Sequence, residues 1–207
     1  MKTINQIMNL RLMALLFAVI TIASCSSDDD GVAPPEEEDE VEVITNVTLI
    51  FTPTSGGAPV TANAIDPDGE GIEELEVLEE INLAANTEYT LTYTILNALD
   101  PNDVEDIGDE ILEEDNEHQL FYSFTNDVFS NPTGNGNIDT ASDAVNYNDQ
   151  DENGNNVGLS TTWTTADASA GGMFTTRLQH QPDLKSATTG ANDGDTDFDL
   201  TFVLNIE

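Results

Sequence analysis

The sequence predicts a mainly β protein: a single antiparallel β-sandwich of immunoglobulin-like type with one short acidic helix. Three observations predict it. Apolar and polar residues alternate with period two in eight short stretches, each stretch is bounded by Gly, Asn, Asp or Pro, and the βαβ alternation of a parallel sheet is missing.

The stretches run in order. In VEVITNVTLIFTP, Val43, Val47, Leu49 and Phe51 fall on one face and Pro53 closes the run. PVTANAI and LEVLEEI follow, and then YTLTYTILNA. The last is preceded by LAANTEY, Leu83 to Tyr89, a turn-then-tyrosine lead found in immunoglobulin-like sandwiches. DVEDIGDEILEEDNE breaks the period: Val104, Ile107 and Ile111 lie at helical spacing, and Asp103 is placed to cap an acidic first turn. HQLFYSF, LSTTWTTAD, MFTTRLQH and FDLTFVLNI complete the set. Trp163 and Phe129 are aromatics of the kind that line sugar-stacking surfaces, but Trp163 is in phase with Leu159 and reads as core.

The chain divides into three parts. Residues 1–24 have a basic leading region with Lys2 and Arg11, the apolar run LMALLFAVITI, and small residues before Cys25, which is the pattern of an export signal. At about 1.5 Å per residue the run from Leu12 to Ile22 spans roughly 16 Å, short of the ~30 Å hydrocarbon core. Residues 25–41 combine Cys25 with DDDGVAPPEEEDEV, dense in like charge and carrying two adjacent prolines, and read as a disordered tether. Residues 42–207 are long enough for one domain with its own core. Cys25 is the single cysteine, so no disulfide framework supports that core.

Forty-one acids stand against four bases, a formal charge of −37, and loss of Lys2 and Arg11 with the signal brings it to about −39. Such a field repels nucleic acid and anionic headgroups and gathers cations. It fits a solubilising surface as well as a cation-binding one.

Two sets of residues are candidates for cation chemistry. His118 and His180 each sit at a strand end on the apolar face, His118 with Leu120, Tyr122 and Phe124, and His180 with Phe174, Thr176 and Leu178. If those ends adjoin, the pair forms a transition-metal site with Glu117 or Asp183 as a further ligand. Otherwise each ring fills a core edge and bonds to backbone or to Gln119, Gln179 or Gln181. The second set is oxygen-rich. Asp149, Asp151 and Asn153 alternate before Gly154 as in the opening of a calcium loop, although position twelve is Ser160 rather than the bidentate Glu. Asp193, Asp195 and Asp197 alternate likewise, and DPDGEG, Asp66 to Gly71, is a third such loop. These clusters are also ordinary turn chemistry.

Catalysis has no comparable candidate. The chain lacks a nucleophile elbow, a phosphate loop, a dinucleotide fingerprint and a zinc-protease motif, and no carboxylate pair is set apart by the sequence as a glycosidase dyad. The expectation is a non-enzyme.

Ile22-Ala23-Ser24-Cys25 resembles a bacterial lipobox, which implies a lipidated, palmitate-bearing Cys25 as the mature first residue. Several acyl chains hold a protein firmly to a bilayer where one does not. The SSDDD run resembles the signal that sends lipoproteins of Bacteroidota-type bacteria to the outer face of the outer membrane. The order of lipobox, acidic tether, VITNVTLIFTP, DPDGEG, LAANTEYTLTYTILNA, EHQLFYSF and RLQHQPDLK resembles that of small surface lipoproteins of those bacteria. A type 1 periplasmic-binding arrangement, sometimes ascribed to that group, implies two large α/β lobes, which about 165 residues without βαβ units do not supply. The resemblance implies a lipid-anchored outer-membrane protein at the cell surface, with the periplasmic face as the alternative, working beside an import receptor. Two functions follow as expectations: a binding module that captures a metal, a metal complex or a small nutrient, or a structural or adhesive protein stiffened by calcium.

Overall fold

A computed structural model of the chain describes residues 42–69 and 74–207. The segments read from the sequence as an export signal and a tether, with Cys25, lie outside them. The structure is a β-sandwich. Its larger sheet holds seven strands: β1 (Asn46–Pro53), β2 (Val60–Ile65), β3 (Glu76–Val77), β5 (Glu88–Asn97), β6 (Glu105–Asp106), β8 (Phe129–Asn131) and β9 (Ser160–Thr165). The order across it is β3-β2-β1-β5-β9-β8, with β6 pairing on β5. The smaller sheet runs β4-β11-β10-β7, formed by β4 (Ile81–Leu83), β11 (Asp195–Ile206), β10 (Ser169–His180) and β7 (His118–Phe124). Pairing is antiparallel except between β4 and β11, which are parallel.

The period-two alternation places the core as expected. Val47, Leu49 and Phe51 of β1 face Leu120, Tyr122, Phe174, Leu178 and Phe202 of the other sheet across one buried cluster. Trp163 is fully buried at its centre, with ring centroids of Phe129 at 4.9 Å, Tyr122 and Phe174 at 5.2 Å and Phe124 at 5.4 Å. Phe129 is buried too, so neither aromatic offers a sugar platform. The sheets are also tied by hydrogen bonds. Tyr93 of β5 donates to the Tyr122 hydroxyl at 3.2 Å and shares a 2.9 Å bond with Thr176, while Tyr122 donates to the Gly158 carbonyl at 2.6 Å. This chain satisfies three hydroxyls that burial would otherwise penalise. The tyrosine lead behaves as its motif predicts: the Ala84 amide donates to the Tyr89 hydroxyl at 2.9 Å, fixing the approach to β5.

Two elements differ from the sequence reading. LEVLEEI is not one strand. It divides into β3 in the larger sheet and β4 in the smaller, and the crossing is pinned by Glu79, whose carboxylate accepts from the Asn63 amide at 2.8 Å and the Asn63 side chain at 3.1 Å. The helix, α1 (Ile107–Glu113), starts later than Asp103. Glu105 and Asp106 pair with β5 first, which leaves Val104 half exposed, while Ile107 and Ile111 bury against the sandwich. Among the described residues no helix is long and apolar enough to cross a membrane.

Candidate metal centre

The strand ends adjoin. β7 and β10 pair in a register that sets His118 directly opposite His180, and the two imidazoles stack 4.5 Å apart at an interplanar angle of 4°. Both lie on the core face, His118 fully buried and His180 at its rim. The ligand-capable atoms of His118, His180 and Glu114 all lie within 4.8 Å of one another, the one such group of three among the described residues.

Glu114 is the ligand that sequence reading missed. It caps the C-terminus of α1, and the turn Glu114–His118 swings the chain from helix to strand, so the carboxylate comes back beside the rings. A carboxylate four residues before a histidine, at the end of a helical run, was the available signal. Glu117, named from the sequence, lies with its carboxylate 3.6 Å from His180 Nε2. Asp183 lies in the turn after β10 in a left-handed conformation, outside the group.

The glutamines do not satisfy the rings. Gln179 accepts from Thr196 and donates to the Asp193 carbonyl, and Gln181 donates to the carbonyls of Gly190 and Asp193. His118 Nδ1 faces the Glu114 carbonyl at 3.3 Å, whereas His118 Nε2 is buried with no partner. A proton on Nδ1, donated to that carbonyl, leaves the Nε2 lone pair free, which is the tautomer a metal takes. Burial, with the neighbouring His180 adding to it, pushes His118 down to about 4, so the ring is neutral at physiological pH.

The donor set of two imidazoles and a carboxylate, with a second carboxylate beside His180, suits zinc, copper(II) or nickel(II) rather than calcium. Nitrogen ligands of zinc stand about 2.0–2.1 Å from the ion, so the two rings must tilt out of their parallel stack for both lone pairs to meet one ion.

The surroundings are acidic. Asp195 lies opposite His180 in the ladder, and the register then skips a residue between Leu178 and Gln179, leaving Asp197 in a β-bulge. One Asp197 carboxylate oxygen is buried without a partner, and burial together with repulsion from Glu42 and Asp195 pushes this carboxyl up to about 7. Burial and repulsion from Glu110 and Glu114 likewise push Glu42 up to about 7. The folded protein therefore keeps a proton on Asp197 between about pH 4 and pH 7 that the unfolded chain has released. This group's contribution to stability is fully present below about pH 4, is lost as pH rises from 4 to 7, and is level above that. Asp197→Asn is expected to leave stability near that of the wild type at pH 4 and to raise it at pH 8 by on the order of 2 kcal/mol after screening, measured by urea unfolding at both pH values.

Several of the carboxylates named for calcium accept hydrogen bonds within their own loops. Asp149 accepts from the amides of Gly158 at 2.8 Å and Ser160 at 2.9 Å, and Asp151 accepts from those of Asn153 at 2.9 Å and Asn155 at 2.8 Å. Asp151 also meets Lys185 Nζ at 3.3 Å, both side chains being 0% exposed, so the loop's charge is balanced by an internal ammonium. Asp193 accepts from the Gly190 amide at 2.8 Å, closing its own loop, and does not join Asp195 and Asp197 in a triad. In DPDGEG, Asp66 accepts from the amides of Asp68 at 3.1 Å and Gly69 at 3.0 Å, an ordinary Asx turn; Glu70 and Gly71 lie outside the described residues.

No protein family, curated protein or solved structure matches the chain.

Proposed function

We propose that this protein is a membrane-anchored, non-enzymatic binding module that takes up a divalent transition-metal ion at His118, His180 and Glu114, with Glu117 as a further ligand, and presents it to an outer-membrane import receptor. One observation carries the proposal: a fully buried imidazole whose Nε2 has no partner, stacked on a second imidazole and adjoined by a carboxylate. An unpaired buried nitrogen costs free energy, about 1–3 kcal/mol, that a ligated metal recovers. The acidic groups around it favour a hydrated cation over anionic chelates or haem. Anchoring is read from the lipobox-like tetrad ending at Cys25, which the mass of the mature N-terminus checks.

Thermal unfolding tests the binding role against the calcium-stiffened alternative. Zinc at about a hundred times its dissociation constant adds about 2.7 kcal/mol. In a domain of this size that raises Tm by roughly 5–10 °C. Calcium at the same concentration leaves Tm unchanged. A rise with calcium and none with zinc, copper(II) or nickel(II) would replace this function by the structural one.

A further inference from the structure

The turn that brings Glu114, Glu117 and His118 together follows a helix of only seven residues. Within itself it has one backbone bond, from the Glu117 amide to the Glu114 carbonyl at 2.9 Å. What holds it comes from the loop after β10. The Gln181 amide donates to the Glu117 carbonyl at 2.6 Å, and Lys185 Nζ donates to the Asp115 carbonyl. Lys185 is itself fixed: its amide donates to the Gln181 carbonyl at 3.0 Å, and its ammonium lies 3.3 Å from the Asp151 carboxylate. Asp151 is held in turn by the Asn153 and Asn155 amides. One ammonium thus joins three loops at the back of the ligand turn. The sequence has two lysines in all, and Lys185 is the one within residues 42–207. Its side chain is fully buried rather than spread over the acidic surface.

We infer that Lys185 is a positioning residue for the metal centre: its ammonium, braced on Asp151, holds the Glu114–His118 turn so that the carboxylate and the His118 ring stay in ligating range of His180. The inference rests on the metal reading above, and it makes a prediction of opposite sign to simple electrostatics. By charge alone a lysine near a cation site weakens binding, and removing it strengthens binding. By bracing, removing it weakens binding, and outer-shell partners of metal ligands are worth about 10–100-fold in affinity.

The test is zinc titration of the purified full chain, with cobalt(II) absorption as a reporter of ligand geometry. Lys185→Gln is expected to bind zinc 10–100-fold more weakly and to alter the cobalt(II) spectrum. Lys185→Arg keeps the charge but not the compact ammonium that reaches both the Asp115 carbonyl and Asp151, and it is also expected to weaken binding. Should Lys185→Gln fail to fold, as circular dichroism would reveal, Lys185→Arg decides. Unchanged or tighter binding in the folded variants, with an unchanged spectrum, overturns the inference while leaving the metal site intact. Absence of zinc binding by the wild type overturns the metal reading itself.

Discussion

Trp163→Ala is expected to destabilise the protein by about 4 kcal/mol, the largest effect of any single truncation in the core. The indole is 0% exposed and touches four aromatic rings drawn from both sheets. Its Nε1 donates to Thr161 at 2.7 Å, so the polar atom is satisfied within its own strand. Removal opens a cavity that neither sheet can close, because each is fixed by its ladder and by the chain from Thr176 through Tyr93 and Tyr122 to Gly158. Urea unfolding measures the loss. A change below about 1 kcal/mol would show that the aromatic cluster is not the centre of stability. Trp163→Phe, which keeps a ring but loses volume, is expected to fall between the two.

Gly194→Ala is expected to cost at least about 3 kcal/mol and to weaken zinc binding with it. Gly194 has φ of 82°, a conformation that carries a strain penalty for alanine. A Cβ there would also lie 2.1 Å from the His180 carbonyl oxygen, so the start of β11 must move away from the end of β10. That movement displaces His180 from beneath His118. Guanidinium unfolding and zinc titration of the same sample check the two effects together. Loss of stability with undiminished zinc affinity would show that the ladder at His180 does not set the ligand geometry.

Period-two patterning made the strands and the core face legible, because alternation is a direct consequence of one buried face. It placed both histidines on that face correctly. It could not say that β7 and β10 are neighbours, since partner choice is a long-range matter settled by packing. Hence the adjacency of His118 and His180 stood only as a condition. The division of LEVLEEI was hidden because Leu75, Val77 and Ile81 share a parity whichever sheet receives them, and Glu79 determines the crossing through a tertiary bond to Asn63. The helix starts after Asp103 because edge pairing of Glu105 with Asn97 outweighs the capping preference of Asp103. The spacing of Asp149, Asp151 and Asn153 is one that calcium loops share with turns whose carboxylates accept from their own amides, as Asp149 and Asp151 do. A lysine isolated in so acidic a chain was the one signal that the loop's countercharge is internal.

Calorimetric titration of zinc into the purified protein, beside His118→Ala and His180→Ala, shows whether the paired imidazoles hold a metal ion. The wild type is expected to bind one ion per chain, and each variant to lose at least two orders of magnitude in affinity. Equal zinc binding by the wild type and both variants, or none by any of them, would contradict a metal centre there.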